Sequence, residues 1–130
     1  MDYRSSNFNK QEIAELKKVL HLLPTMENKM EDVFDKLKNA KPEECVGMIG
    51  DLIEAFEGVE ESILPILQKL EAPDYMKKHD RLKESLTEMV KEYESNQGAE
   101  AYPLMQSSLY PAFIDWKEEL EANLQPLVAS

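Results

Sequence analysis

Apolar residues recur at alternating steps of three and four along almost the whole chain, and strict apolar–polar alternation is missing. That spacing holds apolar side chains on one face of a 3.6-residue helix and predicts an all-α protein. The first segment opens at Asn9, whose short polar side chain suits an N-cap, with Glu12 placed to complete a capping box. Ile13, Leu16, Leu20, Leu23, Met30, Phe34 and Leu37 continue its stripe. Lys41-Pro42 closes it, because the residue before a proline is pushed out of the α region. Pro24 falls inside the pattern, so the helix either kinks there or stops and restarts with Thr25 as cap.

The second segment has the cleanest stripe: Cys45, Ile49, Leu52, Phe56, Val59, Ile63, Ile66 and Leu70 follow steps of four and three without a miss. A helix over 42–71 is predicted, with a bend at Pro65. Asp74 is the expected N-cap of a third helix carrying Tyr75, His79, Leu82, Leu86, Met89 and Tyr93, which ends in the loop-forming run Ser95–Gly98. A fourth helix, from about Ala99 to Leu124, carries Tyr102, Met105, Leu109, Phe113, Trp116, Leu120 and Leu124, with Pro111 inside it. Four stripes joined by short connections predict an up-down-up-down four-helix bundle with proline-kinked helices. One domain spans 1–130, and residues 1–8, ahead of the first cap, are expected to be flexible. Trp116 is expected in the core, where burying an indole is a large apolar gain.

Composition narrows the function. With 42% hydrophobic and 32% charged residues in 130, the chain has enough apolar surface to fold around one core, unlike a disordered tail. A net charge of −11 repels a phosphate backbone, so nucleic acid is not expected as a partner. Membranes are not expected either: the longest uncharged run, Ala101–Ile114, is too short to cross a bilayer, and no basic amphipathic segment is present. A single cysteine, Cys45, and an N-terminus without an apolar signal segment point to the cytoplasm. The charge is uneven. Residues 42–72 hold one basic and eight acidic side chains, and residues 97–130 one and five, while the first and third quarters are nearly neutral. In the expected topology the two acidic helices are diagonal, and each meets the lysines of the other two.

Catalytic groups are scarce. His21 and His79 are the only histidines, and neither is preceded by a glutamate three residues upstream, so the di-iron pattern of four-helix bundles is missing. His79 sits on the stripe and reads as a core or boundary imidazole. Cys45 reads as a small apolar residue, and no glycine-rich phosphate loop occurs. The reading therefore expects no catalytic, cofactor-binding or metal-binding residues and no cofactor. One acidic constellation stands out: Glu54-x-x-Glu57 followed by Glu71-x-x-Asp74 resembles the paired carboxylates of all-α nucleotide pyrophosphohydrolases. That resemblance implies magnesium held over a triphosphate by facing helices. Here Pro73 splits the second pair, and the stripe places Glu54, Glu57 and Glu71 on one helix, so this activity is kept only as an alternative.

The segments GDLIEAFEGVEESILPILQKLE (50–71) and LYPAFIDWKEELEANLQP (109–126) resemble a family of small, uncharacterised all-helical proteins of Bacillus-type bacteria. The resemblance implies a cytosolic helical protein and carries over no catalytic residue. Together these points predict a non-enzymatic helical bundle that works through protein–protein contact, as an adaptor, regulator or chaperone-like binder. Its partner is a protein, with a homodimer or a self-associating structural subunit as the alternative. Apolar residues beyond the core stripes of helices two and four mark the expected contact surface: Ile53, Leu64, Leu67, Tyr102 and Tyr110. Gly47 and Gly50 are expected to permit a close helix approach beneath an aromatic ring of helix four.

Overall fold

The computed structural model describes residues 8–70 and 72–128. Helix α1, Lys10–Lys38, starts at the expected capping box: the Glu12 amide donates to the Asn9 side chain, and the Asn9 amide donates back to the Glu12 carboxylate. It runs through Pro24 without stopping, so Thr25 caps nothing. The exposed ring of Pro24 leaves the Leu20 carbonyl without its helical donor, a local loss that the flanking turns absorb. A 3-10 turn, Pro42–Glu44, separates α1 from α2, Val46–Leu70, so the second helix starts later than its stripe suggests. Helix α3, Pro73–Asn96, places Pro73 in its first turn, where a missing N–H costs nothing; Ala72, rather than Asp74, is the cap residue. Gln97 (φ 57°) and Gly98 (φ 82°) then turn the chain through the left-handed region.

Helix α4 spans 101–128 and is not uniform. Ala101–Leu104 and Tyr110–Val128 are α-helical, and Met105–Leu109 between them is a π turn. The π turn lies directly before Pro111, whose ring would otherwise press on the carbonyl of Ser107. Among the described residues, 91% are helical and no strand occurs. The architecture is the expected all-α four-helix bundle. Residues 1–7 of the segment expected to be flexible lie outside the described residues, but Phe8 is packed on the core with the Lys69 ammonium 5.4 Å from its ring centre.

The stripes meet as expected. Leu16, Leu23, Met30, Leu52, Ile63, Leu82, Met89, Leu109 and Leu120 are all buried. Trp116 is fully buried and donates its indole N–H to the Tyr75 hydroxyl at 3.0 Å. Around it Phe56 packs edge-on at 5.4 Å and Phe113 tilts at 5.9 Å. The acidic helices do meet cations of their neighbours: Lys29 with Asp51, Lys78 with Glu119, and Arg81 with Asp115. Gly47 and Gly50 do not lie beneath a ring. Both are exposed, and a Cβ at either would touch nothing within 4 Å, so no close approach inside the bundle explains them.

Candidate functional site

Backbones approach closely between α1 and α2, between α3 and α4, and between α1 and α4. The remaining adjacent pair, α2 and α3, stays apart, and a trough runs along that seam. Its lower part, about 300 Å³, is lined by Ile53, Phe56, Glu57, Glu60, Leu86 and Val90, among others. Its upper part, about 340 Å³, adds Val46, Ile49, Gly50, Tyr93 and Glu94 and shares Ile53 and Val90 with the lower. The two parts adjoin at Ile53 and Val90; the upper is largely apolar, and the lower has an apolar floor edged by Glu57, Glu60, Glu61, Lys83 and Thr87. Helical spacing on both walls builds the trough: Val46, Ile49, Gly50 and Ile53 follow steps of three and one on α2, and Leu86, Val90 and Tyr93 follow steps of four and three on α3.

What spans the seam is a stacked pair at its floor. Phe56 lies against the His79 ring at 5.2 Å with a 28° interplanar angle. His79 is buried, as its stripe position suggests; its Nε2 meets the Glu60 carboxylate, and its Nδ1 lies 3.0 Å from the Asp80 carboxylate. Both ring nitrogens are used within the bundle, so His79 offers none to a ligand. At the upper end the Tyr93 hydroxyl donates to the Pro42 carbonyl at 2.7 Å, and burial, reinforced by Cys45, Glu43 and Glu92, pushes its pKa up to about 12. Cys45 is buried, with its sulfur near the Val33 and Lys41 carbonyls, and burial pushes the thiol up, as befits a small apolar packing residue.

The rim is acidic. Lys83 lies 3.9 Å from Glu60, but Glu57, Glu61 and Glu94 form no ion pair among the described residues. Glu54 and Glu57 stand on the exposed side of α2, Asp74 is in the first turn of α3, and Glu71 lies outside the described residues. No group of three His, Cys, Asp or Glu side chains suited to a metal gathers among the described residues.

The five residues expected to form one contact surface fall in three places. Ile53 is half-buried in the trough. Leu64 is 41% exposed and lines a corner recess with Leu67, Pro73 and Met76, but Leu67 itself is buried and turns inward. Tyr102 and Tyr110 are half-buried on the opposite seam, both packed against Phe34 of α1. A single surface shared by α2 and α4 does not form, because these helices are diagonal and meet only through the core. The trough has a signal that stripe reading missed: Ile53 and Val90 are apolar positions just off the stripes of two helices that are neighbours.

The chain belongs to the family described as Domain of unknown function (DUF8042), whose profile matches residues 14–119. This agrees with the resemblance carried by 50–71 and 109–126 to an uncharacterised helical family. No curated protein and no solved structure matches the chain. No helix among the described residues is long and apolar enough to cross a membrane.

Proposed function

For this member of a family of unknown function, we propose a non-enzymatic, cytoplasmic role in protein–protein contact, exercised through the trough between α2 and α3. The occupant is one amphipathic helix with basic flanks. The observation that carries the reading is the open seam itself: a trough with an apolar floor between adjacent helices, rimmed by Glu57, Glu61 and Glu94, which form no ion pair among the described residues. An apolar helix face fits the trough, and lysines or arginines beside it meet Glu57, Glu61 and Glu94. Gly50 fits this role, since a wall position without a side chain lets a second backbone come close. A second copy of this acidic chain would bring like charge to the same rim, which disfavours self-association there.

The test uses two labelled helical peptides with the same leucine stripe, one flanked by lysines and one by glutamates, followed by fluorescence anisotropy. The lysine peptide is expected to bind and to weaken as salt rises. Ile53→Asp and Gly50→Leu are expected to abolish binding with helicity intact, and Leu64→Asp is expected to leave it unchanged. Equal binding of both peptides, or binding indifferent to Ile53→Asp, rules the trough out.

A further inference from the structure

The opposite seam, between α1 and α4, holds a second feature that the trough does not explain. On an uninterrupted α-helix, residues eight apart point about 80° away from each other. Tyr102 and Tyr110 are eight apart, but the π turn Met105–Leu109 lies between them and takes up one extra residue. Their side chains are thereby brought to within about 20° of one another, as residues seven apart would be. Both rings close on Phe34, with centroids at 5.7 and 5.4 Å and interplanar angles of 70° and 73°.

Phe34 meets each of the two tyrosine rings near a right angle, and the three rings border one corner of the α1–α4 seam. An open recess of about 400 Å³ lies there, lined also by Glu31, Asp35, Lys38 and Gln106. The Tyr110 hydroxyl points to the Glu31 carboxylate at 3.5 Å. Burial raises the Tyr110 phenol pKa, and Glu31 and Glu27 raise it further; Glu27 is itself paired with Lys117, and Lys38 stands at the recess edge. Phe34, Tyr102 and Tyr110 are half-buried, packed on a core that includes Met30, Val33, Leu37, Met105 and Leu109.

We propose that Phe34, Tyr102 and Tyr110 form a binding site for a methylated ammonium group. Ring faces attract a cation through their quadrupole but offer it no hydrogen-bond acceptors. A trimethylammonium has no N–H to satisfy and gains apolar contact with the rings, whereas an unmodified ammonium gains no methyl contact and exchanges its hydration only for the carboxylates at the recess edge. The carboxylates of Glu31 and Asp35 supply the counter-charge. The group could come from a free small cation or from a trimethylated lysine of a protein; the chemistry is shared.

The experiment is an NMR titration of the whole chain, read at the ring signals of Phe34, Tyr102 and Tyr110. Four probes are used: choline, its uncharged carbon isostere 3,3-dimethyl-1-butanol, a trimethyl-lysine peptide, and the same peptide with unmodified lysine. Saturable shifts are expected with choline and the trimethyl-lysine peptide, and binding at least about tenfold weaker with the two controls. A peptide that binds more tightly than choline identifies a protein tail as the source, and comparable binding identifies a free cation; either supports the site. Tyr110→Leu is expected to weaken binding about tenfold. If that variant loses its helical circular dichroism, Tyr102→Leu, in the first turn of α4, provides the same readout. Binding of the isostere as tight as that of choline would reduce the site to apolar surface, and absence of any saturable shift with both methylated probes would remove it.

Discussion

The seam between α3 and α4 and the seam between α2 and α3 share one helix and differ in almost everything else. Across the first, Tyr75 and Trp116 are buried and hydrogen-bonded to each other, Ser85 and Ser108 pair at 2.9 Å, and Lys78–Glu119 and Arg81–Asp115 close the outside. Across the second, one stacked Phe56–His79 pair and the Glu60 carboxylate reach over, while Ile53 is half-buried and Val46 is 53% exposed. The difference teaches that equally good stripes do not make equally closed interfaces. Ser85 and Ser108, small side chains opposite each other, let α3 and α4 come together there.

The largest contrast is expected from core truncation on the two sides. Trp116→Ala should cost about 3–5 kcal/mol in urea unfolding, because it empties the indole site and strips Tyr75 of its donor. Ile53→Ala, on the open side, should cost about 1 kcal/mol. Similar losses from both would mean that the trough is packed in solution. Gly98→Ala comes next, at about 1–3 kcal/mol: φ there is 82°, and a Cβ would sit 2.7 Å from Tyr93 Cε1. Gly50→Ala has the opposite sign. With open space around its Cβ, the alanine should raise stability by about 0.5–1 kcal/mol through helix propensity. A loss there would show a neighbour pressing on α2.

The last effect is alkaline and is read at 295 nm. Burial pushes Tyr75 up to about 12, partly opposed by the Trp116 hydrogen bond, and Tyr93 also stands at about 12. These folded values lie above the ordinary tyrosine value near 10. The unfolded chain therefore releases protons first as pH rises, and the stability held below pH ~10 is lost between about 10 and 12. Tyr75 and Tyr93 should titrate late, with Tyr110 also raised, and with a stability loss in that window. Trp116→Ala should bring the Tyr75 titration down by admitting water to the shared site, leaving Tyr93 in place.

Much of this was legible from residue spacing. The capping box at Asn9, the burial of Trp116 and His79, the breaks at Pro42 and Gly98, and the pairing of acidic helices with neighbouring lysines all follow from local rules. Less legible was the effect of proline. Ser62-Ile63-Leu64-Pro65 and Ser108-Leu109-Tyr110-Pro111 look alike, yet α2 passes through Pro65 as α-helix and α4 inserts a π turn before Pro111. Periodic reading assumes one residue angle throughout, so it could not align Tyr102 with Tyr110. It also gathered Ile53, Leu64, Leu67, Tyr102 and Tyr110 into one surface by counting surplus apolar residues, without knowing which seams would close.

The amino-acid pattern by itself determined the fold class, the helix count and the core, because a 3-4 apolar repeat can be buried only by helices packing on one another. It also determined the acidic field, which is a sum over residues and needs no geometry. The tertiary structure alone decided where α2 and α3 part, which glutamates form no ion pair among the described residues, and that a π turn sets two tyrosines edge-on to Phe34. These depend on side-chain volumes meeting across helices distant in sequence and on where a helix takes up one extra residue, and neither is written in the period of a single helix.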